Sequence, residues 1–403
     1  MATRTVRFAG ASGAMLAASI EMPIGPVRAI ALFAHCFTCT MRSHAATRIS
    51  TALAAQGIAT MRFDFTGLGG SEGTLAEAGF AADVEDLVAA ADYLDETLGA
   101  PSILIGHSLG GAAVLAAAAR IPSVLAVATI AAPFDPAHVL HRIDGDLAAI
   151  ERDGAGPVTI AGRQFTISRK FIHGVRDTDP AASIAALGRA LLVLHSPTDE
   201  LVGIDNARQI YEAARHPKSF VTLDRADHLL TDRVDAAYVA TIIAAWAMRY
   251  LPVQADPVDL EPGEVLVGNG DGRFGTSIRT RDHHWLADEP EAVGGENAAP
   301  GPYDLLLGAL GACTSMTVKL IADREGIPLE QVTVRLRHER NHEHDSEMAP
   351  ADPSARMQAI WRTLSLHGTM TREQRQRLIE VADKCPVHRT LTGELHIHTD
   401  IAD

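Results

Sequence analysis

The apolar positions of the chain change their period several times, and each change marks an element. Residues 3–8 and 14–22 read as two short strands of a hairpin. AIALFAH (29–35) is a continuous apolar run ending in a polar residue, the pattern of a strand buried on both faces. A helix rich in small apolar residues follows over about 44–56, closed by Gly57. ATMRFDF (59–65) is the next strand and runs into a glycine-rich loop, TGLGGSEG (66–73). An amphipathic helix fills about 78–98, SILIGH (102–107) is a strand, LGGAAVLAAAAR (109–120) a helix and VLAVATIAA (124–132) a strand. The stretch 134–188 carries mixed helical signals and breaks the rhythm. ALLVLHS (190–196), a helix near 204–215, SFVTLD (219–224) and a helix near 232–250 resume it.

Alternation of strands and helices predicts an α/β fold, a mostly parallel sheet covered on both faces. It stops at Leu251-Pro252, so residues 1–252 are expected to form one domain, with 134–188 as a small cap. VQADPVDLEP (253–262) has two prolines, three acids and no periodicity, and reads as a linker. Residues 263–403 follow an α+β plan. Strands are predicted at 264–268, 274–286, 331–339 and 356–367, and helices at about 302–326 and 371–383. A closing strand is predicted in LTGELHIHTDI (391–401).

Composition narrows the function classes. A chain of 403 residues exceeds one ordinary core, which agrees with two domains. With 47% hydrophobic and 21% charged residues it has the composition of a globular protein. A formal charge of −15 argues against a nucleic-acid or anionic-membrane surface. MATRTVRFAG lacks the apolar core of a signal peptide, and no run of 18 uninterrupted apolar residues occurs, so a cytoplasmic location is expected. Four cysteines do not make a disulfide scaffold, so each needs its own explanation.

Gly106-His107-Ser108-Leu109-Gly110 is a G-x-S-x-G between a buried strand and an Ala-rich helix. That context is the sharp turn that presents a serine hydroxyl at the end of a sheet. A serine needs a base to become a nucleophile, and the base needs an acid to orient it. Asp199 follows the strand 190–196, and His228 follows the strand 219–224, so the order is Ser108, Asp199, His228. Glu200 and Asp227 compete with Asp199 for the acid position, but Asp227 adjoins His228 and their side chains would point apart.

These motifs resemble those of the α/β-hydrolases over roughly residues 1–252, and DFTGLGGSEG (64–73) is similar to that family's Asp-x-x-Gly-x-Gly-x-Ser loop. The resemblance implies a serine ester hydrolase of the carboxylesterase type, with a small-molecule ester as substrate and no cofactor. Thioester or amide cleavage would use the same three residues. The backbone N–H of Leu109 is one expected oxyanion donor. The resemblance puts the other in the loop after the 29–35 strand, HCFTCT, where Cys36 and Phe37 would supply main-chain N–H groups. The Cys36-x-x-Cys39 spacing leaves a structural, a redox and a zinc use open. Phe165, Phe171 and Ile172 of the cap are expected either to line an acyl pocket or simply to pack.

In the second part, PYDLLLGALGACTSM (302–316) is apolar nearly all round, as in a helix buried at the centre of a domain or dimer. It carries Cys313, and Cys385 stands before Pro386 at an expected helix start, beside Lys384, His388 and Arg389, which favour a thiolate. The stretches Gly301-Pro302 through Cys313-Thr314 and Cys385-Pro386-Val387-His388 resemble the OsmC/Ohr family over about 263–403. The resemblance implies an intertwined homodimer that reduces organic hydroperoxides through a thiolate, a sulfenate and a disulfide, with a dithiol as reductant. It makes Cys313 the attacking and Cys385 the resolving cysteine, whereas the local sequence favours Cys385 as the more acidic thiol. Tyr303 stands where the family's peroxidases carry a glutamate, and the family's arginine is sought among Arg273, Arg279 and Arg281. The competing reading makes this domain a dimerisation or small-molecule-binding module. His338 to Asp345 has the residue types of a metal site but reads as a solvated strand end.

Overall fold

The computed structural model describes residues 2–37, 39–74, 79–160, 162–252, 259–270, 272–340 and 358–401. In chain order the elements begin with β1 (Ala2–Ala9), β2 (Met15–Met22), β3 (Ala29–Ala34), α1 (His44–Ala54) and β4 (Ile58–Phe63). Next come α2 (Phe80–Thr97), β5 (Ile103–His107), α3 (Leu109–Ala117) and β6 (Ala126–Ile130). Residues 134–188 hold β7 (Ile143–Asp144), α4 (Leu147–Asp153), β8 (Ala155–Ile160), β9 (Arg163–Ser168), α5 (Arg169–Arg176) and α6 (Pro180–Ala185). The rhythm resumes with β10 (Ala190–His195), α7 (Asp205–Ala213), β11 (Lys218–Thr222) and α8 (Arg233–Ala247).

Eight strands form one sheet in the order β1-β2-β4-β3-β5-β6-β10-β11. β2 pairs antiparallel with both β1 and β4, and β4, β3, β5, β6, β10 and β11 pair parallel with one another. The largely apolar sequences of β3, β5, β6 and β10, interrupted only by Thr129 and by His107 and His195 at strand ends, follow from burial on both faces. Along β3, Ile30, Leu32 and Ala34 enter the core under α2 and α3, while Ala29, Ala31 and Phe33 enter the core under α1 and α8. All parallel strands therefore end at one edge, and the loops leaving β3, β5, β10 and β11 gather there.

The remaining elements are β12 (Leu266–Asn269), β13 (Thr276–Arg279), β14 (His284–Ala287), α9 (Pro302–Glu325), β15 (Gln331–Arg340), β16 (Gln358–His367), α10 (Arg372–Ala382) and α11 (Pro386–Thr392). The chain divides into two compact units, Met1–Leu286 and Ala287–Asp403. In the second unit α9 and α10 pack around Val318, Ala322, Leu378 and Val381, next to the antiparallel pair β15-β16. Gly301 donates its N–H to the Asp304 carboxylate at 3.0 Å and Pro302 opens α9, while Gly326 at φ 64° ends it.

Two expected elements differ. The run 274–286 is two strands, because Thr280 N–H bonds the His283 carbonyl at 2.9 Å and turns the chain. The strand expected at 391–401 is absent: α11 extends to Thr392, and residues 394–401 pair with no strand among the described residues. Leu395, Ile397 and Ile401 keep a strand's alternation but are 59%, 83% and 95% exposed, so the segment lacks the partner edge a strand requires. The expected linker, 253–262, lies largely outside the described residues.

Candidate active site

β5 delivers the chain to Ser108 and α3 carries it away. Ser108 sits at φ 55°, a left-handed conformation that an L-residue adopts only when its surroundings impose it. What imposes it is close backbone packing. A Cβ on Gly110 would lie 2.5 Å from the carbonyl oxygens of both Ala34 and His35, so only glycine lets α3 start this close to β3.

The loop after β11 brings His228 to the serine, with Nε2 3.0 Å from Ser108 Oγ. Its Nδ1 is 2.7 Å from Asp199 Oδ2, on the loop after β10. The carboxylate can only accept, so Nδ1 carries the proton and Nε2 is free to take one from the hydroxyl. Asp199 Oδ1 accepts from the N–H groups of Leu201 and Val202 at 2.8 and 2.9 Å. Burial pushes the Asp199 carboxyl up, but the bonds from His228, Val202 and Leu201 outweigh it and hold the group below its ordinary value. Of the two competing acids, Asp227 accepts from the N–H and hydroxyl of Thr231, and Glu200 is exposed.

Three histidines that sequence reasoning gave no role lie beneath these loops. His35, His107 and His195 end or follow β3, β5 and β10, and each is at most 1% exposed. His35 Nδ1 meets the Cys36 carbonyl at 2.8 Å, His107 Nε2 the His228 carbonyl at 2.7 Å, and His195 Nε2 the Val202 carbonyl at 2.7 Å. Burial, then the neighbouring His228, push His107 down to about 4, and burial also lowers His35 and His195. The legible signal was a polar residue closing each apolar strand.

Cys36 and Cys39 are joined in a disulfide. Of the three uses left open for them, the disulfide agrees with a structural or a redox pair and leaves no free thiolates for a zinc ion. Asp64 accepts from Met41 N–H on one side and Gly70 N–H on the other, at 2.6 and 2.8 Å, tying this loop to the 66–73 glycine loop. The buried Arg62, paired with Glu21, donates to the Met41 carbonyl at 2.7 Å. Cys36, Phe37, Leu109 and Gly110 line one small cavity of about 10 Å³ together with Asp83. Burial, then Asp86, push the Asp83 carboxyl well above its ordinary value. Within 134–188, Phe171 and Ile172 are buried in the core, and Phe171 stacks on Phe37 at 5.2 Å. Phe165 lies half-buried under the Arg163 guanidinium.

In the second unit Cys313 and Cys385 are both free, and Cys313 is near enough to act on the Cys385 thiol. Cys385 caps α11, its sulfur accepting from His388 N–H at 3.4 Å, and Thr314 Oγ1 lies 3.6 Å from the same sulfur. Burial pushes the Cys385 thiol up, but Thr314, His388, Cys313 and the Arg362 charge together bring it below its ordinary value. Arg362 was not among the expected arginines: Arg273, Arg279 and Arg281 belong to the first unit. Its signal lay in β16, where it occupies the inward phase shared by Ile360, Leu364 and Leu366. Tyr303 stacks on His338 at 4.3 Å. The rest of the His338–Asp345 run lies outside the described residues from Asn341 onward, and no metal-ligand group of three or more occurs among the described residues.

The eight-stranded sheet with its serine turn and histidine loop defines an α/β-hydrolase. The chain belongs to that family, with an esterase-like N-terminal part, and carries a C-terminal OsmC-like domain. Residues 25–156 match the family described as "Serine aminopeptidase, S33", and residues 294–400 match the OsmC-like proteins. The crystal structure of an esterase domain from a Rhodothermus marinus protein is 48% identical, with a TM-score of 0.53, over 62% of this chain and 99% of that one. The mitochondrial palmitoyl-protein thioesterases ABHD10 of Mus musculus and Rattus norvegicus are 29% and 35% identical over 186 residues, 44% of this chain. The chain spans 62% of the length of these two curated relatives.

Proposed function

We propose that residues 1–252, with 134–188 as a cap, form a carboxylesterase-type serine hydrolase acting on small-molecule esters. Ser108 is the nucleophile, His228 the general base and then acid, and Asp199 the group that orients His228 and stabilises its imidazolium. The N–H groups of Leu109 and of Cys36 or Phe37 receive the oxyanion, where one such donor is worth roughly 10²–10³ in turnover. The single observation that carries this reading is the unbroken pair of contacts at 3.0 and 2.7 Å from Ser108 through His228 to Asp199. Its test is hydrolysis of p-nitrophenyl acyl esters by the wild type and Ser108→Ala. Activity that survives the substitution sinks the assignment. Thioester cleavage is a second reading, favoured by the similarity to the two thioesterases; comparing kcat/KM on matched esters and acyl thioesters decides between them.

For residues 263–403 we propose a thiol peroxidase that reduces organic hydroperoxides with Cys313 and Cys385, using a dithiol as reductant. The proximity of the two free cysteines, through which Cys313 helps to lower the Cys385 thiol, supports it. Hydroperoxide consumption unaffected by Cys313→Ser would leave a dimerisation or small-molecule-binding module instead. A homodimer through this domain is supported by α9, which is apolar and long yet little buried within the chain, with Met316 71% and Leu320 66% exposed. Light scattering of the full chain tests it, and a monomer at micromolar concentration excludes it.

A further inference from the structure

The two thiols of the second unit are not equivalent. Cys313 is half-buried, while Cys385 is fully buried among hydrogen-bond donors. Arg362 Nη1 donates to Thr314 Oγ1 at 3.0 Å and to the Ala382 carbonyl at 3.1 Å, and its other terminal nitrogen pairs with Asp383. A guanidinium only donates, so it occupies an acceptor site on the threonine oxygen and leaves the hydroxyl proton free to turn toward Cys385. Thr314 is itself fully buried and lies 3.6 Å from the sulfur.

We propose that Arg362 and Thr314 form a donor relay to Cys385 that holds it as a thiolate, ready for the resolving step that the family resemblance gives it. The resolving step rests on the peroxidase reading; the relay itself does not. It also removes the conflict between the acidic thiol and the attacking thiol, because they are different residues with different tasks. Cys313 gives up its proton and its thiolate attacks the terminal oxygen of a hydroperoxide. The O–O bond breaks, and the leaving alkoxide takes up the released proton to become the alcohol. Cys313 is then a sulfenic acid. The Cys385 thiolate attacks that sulfur, the S–S bond forms, the S–O bond breaks, and hydroxide leaves to be protonated by solvent. A dithiol, oxidised to its own disulfide, restores both thiols. Cys385 thus needs contact with Cys313 and not with the hydroperoxide, which suits its burial.

The test uses the full chain. Thiolate ultraviolet absorbance is followed against pH, as the difference between each protein and its Cys385→Ser counterpart. Thr314→Val keeps the shape and removes the hydroxyl, Thr314→Ser keeps the hydroxyl, and Arg362→Gln removes the charge. A hydrogen bond to a charged group is worth roughly 1–2 pH units, so Thr314→Val is expected to raise the midpoint by about that much, with Thr314→Ser near the wild type. Arg362→Gln is expected to raise it too, and because Thr314→Val is nearly isosteric, the proposal does not depend on the arginine variant folding. A midpoint unmoved by Thr314→Val, or moved equally by Thr314→Ser, overturns the relay. With one equivalent of cumene hydroperoxide at neutral pH, a dimedone adduct at Cys313 should accumulate in Thr314→Val and not in the wild type. Hydroperoxide left unconsumed by a wild type whose midpoint behaves as expected removes the peroxidase reading and keeps the relay. Consumption with an unmoved midpoint does the reverse.

Discussion

The imidazole of His107 donates from Nε2 to the backbone carbonyl of His228 at 2.7 Å. The residue before the serine thus holds the loop that carries its base. His107→Ala is expected to lower kcat by roughly 10–100-fold with little change in KM, since a misplacement of about 1 Å costs this much. His107→Asn, which retains a donor, should recover part of the loss. Steady-state kinetics of both variants check this, and equal kcat in wild type and His107→Ala would show the bond to be irrelevant to the base.

The same histidine makes stability depend on pH. Its folded value of about 4 lies below the ordinary 6.5, so between those values the unfolded chain binds the extra proton. Stability is full above pH 6.5, falls as the pH drops through this window and levels off below about 4, a loss of about 3 kcal/mol from this group. Melting temperatures from pH 7 to 4 should fall less steeply in His107→Asn than in the wild type. Parallel slopes would contradict the assignment.

Asp199→Asn keeps the shape of the acid and loses its charge. By analogy with serine enzymes in which this change presents the wrong imidazole tautomer, kcat should drop by about 10⁴, whereas Asp227→Asn should change it little. A larger loss in Asp227→Asn would reverse the two acids.

Gly110→Ala drives a methyl group against the Ala34 and His35 carbonyls. It is expected to destabilise the fold by about 1–3 kcal/mol and to depress kcat through Leu109, whose N–H follows the serine. Urea unfolding together with ester turnover measures both effects. An unchanged midpoint would mean that α3 shifts without cost.

Reduction of the Cys36–Cys39 disulfide loosens the loop proposed to face the oxyanion. Esterase kcat is expected to fall several-fold on reduction with a phosphine, and Cys36→Ser/Cys39→Ser should start at the lower value and not respond. Identical turnover before and after reduction would confine the disulfide to a structural role.

The parallel sheet was legible because strands buried on both faces must be largely apolar, as β3, β5, β6 and β10 are apart from Thr129 and the closing His107 and His195. The serine turn was legible because only glycine tolerates that backbone approach, and chain order suggested Asp199 and His228. Sequence also named both thiols of the second unit. It left the state of Cys36–Cys39 open among three uses, and it did not foresee the three histidine braces or Arg362 beside the thiol cluster. Two of these contacts are long-range, with His107 meeting a carbonyl 121 residues away and Arg362 a hydroxyl 48 residues away, whereas His35 and His195 bond carbonyls close to them in the chain. The failed strand at 391–401 belongs with them, because alternation fixes which side chains share a face and leaves the partner edge open. Local pattern therefore determined which elements form and which residues carry chemistry. Which polar groups hold those residues in register was decided only when the sheet edge and the helix ends brought distant donors and acceptors together.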